Sequence, residues 1–393
     1  MTKYTTPTLN KMTGRLVPIF DGGEVREDTN IQKELTENDA PVMTALQATR
    51  NIYVNGATGD DTNDGRAAGT AFKTIQKGVN IAGYQASDTQ TVVNIAAGTY
   101  HEPNVVVPKY AIGEILILGD RTTPSDIVLT GDLSLVETHV AFTHENNSAL
   151  LVIEGIQFED YFRGVRVENA AVSIGGCIFE DMGQAVSGVN YANILYFDNG
   201  VFNTTYNGTT AFYLGWMTVV SDFCRVIISD DIVATNVDRF VNAQNRCRVA
   251  LSIGYDLNIT FKTTGPQCFF LLDSDLFTGG DIIADGNKAV PVTNSAFVFI
   301  SGGSCQTFFL GGDTWTIDDF DYVFLNFGVG QAYWSDDSSV GMTLTNVNNK
   351  GRFGFNDTGY DDTGLMAGGD VVYEIGGYDA NMILTQKIAY FNR

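Results

Sequence analysis

Apolar and polar residues alternate in short runs over most of this chain. "TVVNIAAGTY" (91–100) and "EILILG" (114–119) read as strands separated by turn residues. The pattern then repeats: "LLVIEGIQFED" (150–160) is followed by "VSIGGCIFED" (172–181) and "ILYFDNGVFN" (194–203). Phe158, Phe179 and Phe202 end these runs at spacings of 21 and 23 residues. Related runs follow at 219–229, 248–261, 279–286, 305–317 and 341–355, more widely spaced. One stretch departs from the alternation. Phe72, Ile75, Val79 and Ala82 recur at helical spacing and predict a helix over 74–82.

A period of 21–25 residues with one or two strands per period predicts an all-β fold, a parallel β-helix in which each coil buries its apolar face against the next. An array of β-sandwiches is the competing fold. Cys224, Cys247 and Cys268 lie 23 and 21 residues apart, a spacing expected of a stacked interior column. The expected organisation is an arm over residues 1–50, a solenoid over 51–355 and a closing or interchain segment over 356–393.

Composition narrows the function classes. The 393 residues carry 23 Lys plus Arg against 46 Asp plus Glu, a formal net charge of −23. Residues 1–50 are almost neutral, so the excess acid lies in the repeats. A surface this acidic repels phosphate backbones and anionic membranes, which argues against nucleic-acid partners. No run of 18 apolar residues suggests membrane insertion. The first residues, "MTKYTTPTLNKMTGRLVPIFDGG", lack the apolar middle of a signal peptide, so synthesis in a cytoplasm is expected. Five Cys without a CxxC pair indicate neither a zinc site nor a disulfide framework.

"NIYVNGATGDDTNDGRAAGTAFKTIQKGVNIA" followed by "VVNIAAGTYHEPNVVVPKYAIGEILILGDRTTPSDIVLTG" resembles the opening of pectin-lyase-like right-handed β-helices, over residues 51–131. In that superfamily a helix such as 74–82 caps the N-terminal end of the solenoid. The polar arm, the acidic turn and the capping helix together look most like bacteriophage tail spikes and tail fibres. That resemblance implies a homotrimer, attachment to other virion proteins through residues 1–50, and a solenoid that binds a host surface polysaccharide during adsorption. It also implies a location in the virion tail, after synthesis in the host cytoplasm. A glycan depolymerase on the same fold and a structural virion protein without a receptor, such as a tail adaptor or capsid decoration, remain open alternatives.

Candidate chemistry is sparse. Asp60, Thr62, Asp64 and Gly65 occupy the first positions of an EF-hand-like loop, but position 12 is Ala71 rather than Glu, so no metal is expected. Asp and Asn side chains bonding their own backbone explain the stretch better. No cofactor motif occurs, and no Gly-x-Ser-x-Gly elbow. The aspartate contexts of pectin methylesterases and polygalacturonases are also missing. Glycoside hydrolysis needs two carboxyls facing one groove. Glu159, Asp160, Glu180 and Asp181 follow matching strands, and Asp230 and Asp231 follow a later one, so these six are the catalytic candidates. Tyr161, Tyr191, Tyr206, Trp216, Tyr333 and Trp334 stand in turn-like contexts and are the candidates for stacking on sugar rings.

Overall fold

A computed structural model describes residues 51–84, 90–131, 139–197 and, apart from loops between strands, 204–355, with side chains as far as Phe320; outside that span it describes only short strands. Among the described residues, three sheets of 12, 11 and 10 strands run the length of the molecule. They are called here sheets 1, 2 and 3. Between Gln90 and Phe355 the chain visits them in that order in every coil, and each strand there pairs in parallel with its equivalent one coil away. The fold is the parallel β-helix that the alternation predicts.

Inside, equivalent residues stack. One column of sheet 2 runs Tyr100, Leu129, Phe158 and Phe179. The rings of Phe158 and Phe179 lie 4.9 Å apart and nearly parallel, and both are fully buried. The register partner of Phe179 in the next coil is Tyr206, in the strand Thr204–Asn207, not Phe202, which falls outside the described residues. Coil length explains the shift. Phe158 to Phe179 takes 21 residues, whereas Ala284 to Ile317 takes 33, because loops between sheets vary while strands do not.

The cysteine column needs the same correction. Cys224 and Cys247 are stacked, each one residue before register partners Arg225 and Arg248 of sheet 1. Their next neighbour is Ser274, whose hydroxyl accepts from the Cys247 amide. Cys268 belongs to sheet 3, in the strand Gln267–Leu272, against Phe240 and Phe297. The 21-residue interval to Cys268 is less than one coil in that region. The corner column before sheet 1 is instead Ala149, Ala170, Ala192, Cys224, Cys247 and Ser274, all small and buried.

Helix α1 (Ile75–Ala82) closes the N-terminal end. Thr74 is its N-cap and accepts from the Lys77 amide, while Ile75, Val79 and Ala82 are buried against the first coil. The acidic stretch before it is held by its own hydrogen bonds. Asp60 accepts from Thr62, Asp64 from Arg66 and Thr70, and Asp61 from the amides of Lys73 and Thr74. Glu102, in the first coil, reaches back to the amides of Ile75 and Gln76 at the helix start. This satisfies donors that a helix N-terminus leaves open and favours negative charge there. At the other end, Asn381–Leu384 and Ile388–Tyr390 pair antiparallel with strands of sheets 2 and 1.

Truncating Phe179 to Ala leaves a hole between stacked rings. It is expected to cost about 3–5 kcal/mol in urea unfolding. A loss under about 1 kcal/mol would show that the Phe158–Phe179 stack does not stabilise the column.

Candidate functional site

Acids collect where sheet 2 strands end. Glu159 and Glu180 are register partners at the ends of Gln157–Glu159 and Ile178–Glu180, with Asp160 and Asp181 directly after them. Both aspartates sit in the left-handed region, at φ 61° and 49°, which Asp tolerates better than most residues. Partial burial pushes the Glu159 carboxyl above its ordinary range, helped by the negative charges of Asp160, Glu180 and Asp181. Burial likewise raises Asp160, with Asp181 adding to it. Gln157 Nε2 donates to Glu180 across the coils at 3.0 Å.

Asp231 does not extend this row. The next register partners of Glu180 are Asn207 and Thr235. Asp230 lies outside the described residues. Asp231 stands before the strand Ile232–Val237, at the opposite edge of sheet 2, and accepts from the Asp256 amide at 2.8 Å.

The aromatic candidates separate by position. Tyr161 is fully buried, and its hydroxyl lies 2.6 Å from the Glu102 carbonyl and 3.1 Å from that of Thr130. It ties the first coils together and offers no face to a sugar. Trp216 starts the strand Trp216–Ser221 of sheet 3, and the Arg239 guanidinium lies between its ring, at 4.9 Å, and that of Phe270, at 4.4 Å. Tyr206 and the pair Tyr333 and Trp334 lie within strands rather than turns; their side chains are outside the described set.

Tyr191 is different. It is 61% exposed, in the turn from sheet 3 to sheet 1, and stacks on Phe223 of the next coil at 5.2 Å with rings 10° apart. Arg246, one coil further, lies over Phe223 at 5.6 Å. In these three coils the turn holds three residues between strands: Asn190–Ala192, Asp222–Cys224 and Asn245–Cys247. The coils on either side use two, Asn169–Ala170 and Asp273–Ser274. The first residue of each turn is Asn or Asp with positive φ, and these stack into a ladder in which Asn169 donates to Asn146 and Asn245 to Asp222. The extra residue is also left-handed: Tyr191 at 64°, Phe223 at 65°, Arg246 at 64°. A bulky residue held there costs on the order of 1–3 kcal/mol, and such strain tends to gather at ligand-contacting positions.

Phe223, Arg225, Arg246 and Arg248 escape a reading by aromatic content alone. A signal for them does exist in the chain: "NYAN" (190–193), "DFCR" (222–225) and "NRCR" (245–248) share Asn or Asp, a large residue, a small residue and a polar one. The small residue is the buried corner column. The large one is what the longer turn pushes outward. Among the described residues no group of His, Cys, Asp and Glu is arranged to hold a metal ion.

No family model matches the chain, and no curated protein matches it. Among solved structures, Geobacillus virus E2 ORF18 aligns with 90% of this chain and 69% of its own length, at 11% identity and a TM-score of 0.37. A likeness of that degree supports no inference about function.

A carboxyl whose pKa is raised by folding contributes stability that is complete below its unfolded value and is lost as pH rises through the folded one. Glu159→Gln is therefore expected to raise the melting temperature at pH 7. The gain should vanish as pH falls below the ordinary glutamate value of 4.5. A gain that does not change with pH would rule out crowding of carboxylates as its cause.

Proposed function

We propose that this chain is a bacteriophage virion component, a trimeric tail spike or tail fibre whose solenoid binds a bacterial surface glycan and whose residues 1–50 attach it to other virion proteins. The observation that carries this reading is the N-terminal closure. A self-bonded acidic turn leads into α1, and Glu102 of the "GTYHE" stretch ties that helix to the first coil. This is the part of the chain that resembles β-helical tail spikes, and it has the capping role that the resemblance implies. The stacked coils form a long, regular surface, suited to a repeating polymer. Among the described residues, no helix is long and apolar enough to cross a membrane.

A second reading, a glycan depolymerase, draws on Glu159 and Glu180. Adjacent strands stand ~4.8 Å apart, close to the ~5–5.5 Å separation of retaining glycosidase carboxyls. A carboxyl raised by burial and like charge suits a general acid. Against it, Glu180 is engaged by Gln157, and Asp231 does not complete the row.

Light scattering on the purified protein is expected to give three times the 42.7 kDa chain mass. Virions lacking the protein should lose adsorption to host cells. Unimpaired adsorption would overturn the receptor role and favour a structural one. Host polysaccharide incubated with the protein should show no new reducing ends. Ends that appear, and disappear with Glu180→Gln, would establish the depolymerase instead.

A further inference from the structure

We propose that the Tyr191–Phe223–Arg246 stack, flanked by Arg225 and Arg248, is a subsite for a carboxylate-bearing polysaccharide. The inference rests on the glycan-binding reading above and adds a place and a ligand class to it.

The shape comes from turn length. Coils with three-residue turns sit between two coils with two-residue turns, so the stack protrudes beyond its immediate neighbours. Tyr191 keeps one ring face against Phe223 and the other open, in agreement with its 61% exposure. Phe223 is 46% exposed. Exposed stacked aromatics with open faces and edges are the surface on which sugar rings pack, through C–H groups against the π-cloud.

Charge selects the ligand. The chain carries −23 overall, yet three arginines converge here. Arg225 and Arg248 are register partners, both exposed, one coil apart on the first outward position of sheet 1. Arg246 stands two residues before Arg248. Among the described residues no carboxylate lies within ion-pairing distance of any of the three. Arg246 and Arg248 rest on the rings of Phe223 and Phe277, which leaves guanidinium N–H groups for an incoming anion. The acids closest in the fold are Asp222, Asp273 and Asp275. Asp222 is held by Asn245 and Ser221, and Asp275 follows Arg248 in register. Like-charged arginines stacked one coil apart repel each other, and a bridging carboxylate relieves that repulsion with charge-assisted, bidentate hydrogen bonds. Uncharged sugars would use the aromatic faces but leave the arginines without partners.

Coil spacing supplies the register. Arg225 and Arg248 repeat at ~4.8 Å along the axis, close to the length of one pyranose residue. A polyuronate lying along the solenoid would therefore set a carboxylate near the Arg225–Arg248 pair, with one ring against Tyr191.

The test uses the full chain, with polygalacturonate as probe and dextran as the neutral control, in calorimetric titrations at low and moderate salt. Tyr191→Asn and Phe223→Asn remove the aromatic faces while keeping a residue that accepts positive φ. Each is expected to weaken polygalacturonate binding roughly three- to tenfold. The double variant Arg246→Gln, Arg248→Gln should lose most of the binding and most of its salt dependence. Arg66→Gln, which removes one positive charge far from this corner, should bind as the wild type. Dextran should bind more weakly than polygalacturonate. Circular dichroism and melting curves matching the wild type will show that the variants fold. If the corner variants bind polygalacturonate like the wild type, or if the wild type binds none, the proposal is overturned. The glycan reading itself is tested apart from it: should virions with corner variants still adsorb while virions lacking the protein do not, only this subsite fails.

Discussion

Strand residues of the solenoid stack on their equivalents in the next coil, and the parallel hydrogen-bond ladder fixes that pairing. The constraint is severe because each column must be compatible with itself. Apolar columns satisfy it easily: Phe142, Val165 and Val186 in sheet 3, or Ile153 and Ile174 in sheet 1, bury against like neighbours. At the corner before sheet 1 there is room only for Ala, Cys and Ser. At the turn beside it, Asn and Asp satisfy the ladder by adopting the left-handed conformation and, in places, bonding side chain to side chain. Charged columns satisfy it worst. Glu159 above Glu180 and Arg225 above Arg248 are like charges set side by side by the backbone. The first pair responds by raising a carboxyl pKa. The second lies at the exposed corner, in contact with solvent.

Much of this was legible in the sequence because strand register is written in periodicity. The helix and the stacking of Phe158 on Phe179 follow from spacing alone. The failures share one physical origin: strands are fixed in length by the hydrogen-bond ladder, whereas loops are not. Once loops lengthen, a constant interval no longer marks a column. Phe202 gives way to Tyr206, and Cys268 falls on a different sheet from Cys224 and Cys247. The separation of Asp231 from the Glu159–Glu180 row has the same source.

The candidate aromatics were legible as residue types but not as surfaces. Tyr161 and Tyr191 both follow strands and both precede new ones. One is at the corner after sheet 2 and enters the core, where its hydroxyl meets two carbonyls. The other is the additional residue of a longer turn and has no interior position to fill. Burial here depends on which of the three corners a residue occupies and on whether the turn has two residues or three. The repeated Asx–large–small–polar string holds that information, but it becomes readable only when the small residue is recognised as the column and the large one as the insertion.

The closure at α1 has a consequence for biogenesis. Each coil offers the next an unpaired edge in the right register, and the first coil can receive its own edge protection only from the residues that precede it. Those residues leave the ribosome first. Asp61, Thr74 and Glu102 can thus complete a seed before any later coil exists, on which later coils can be templated in the direction of translation. The polypeptide can in this respect serve as its own scaffold, with the order of synthesis as one order of assembly.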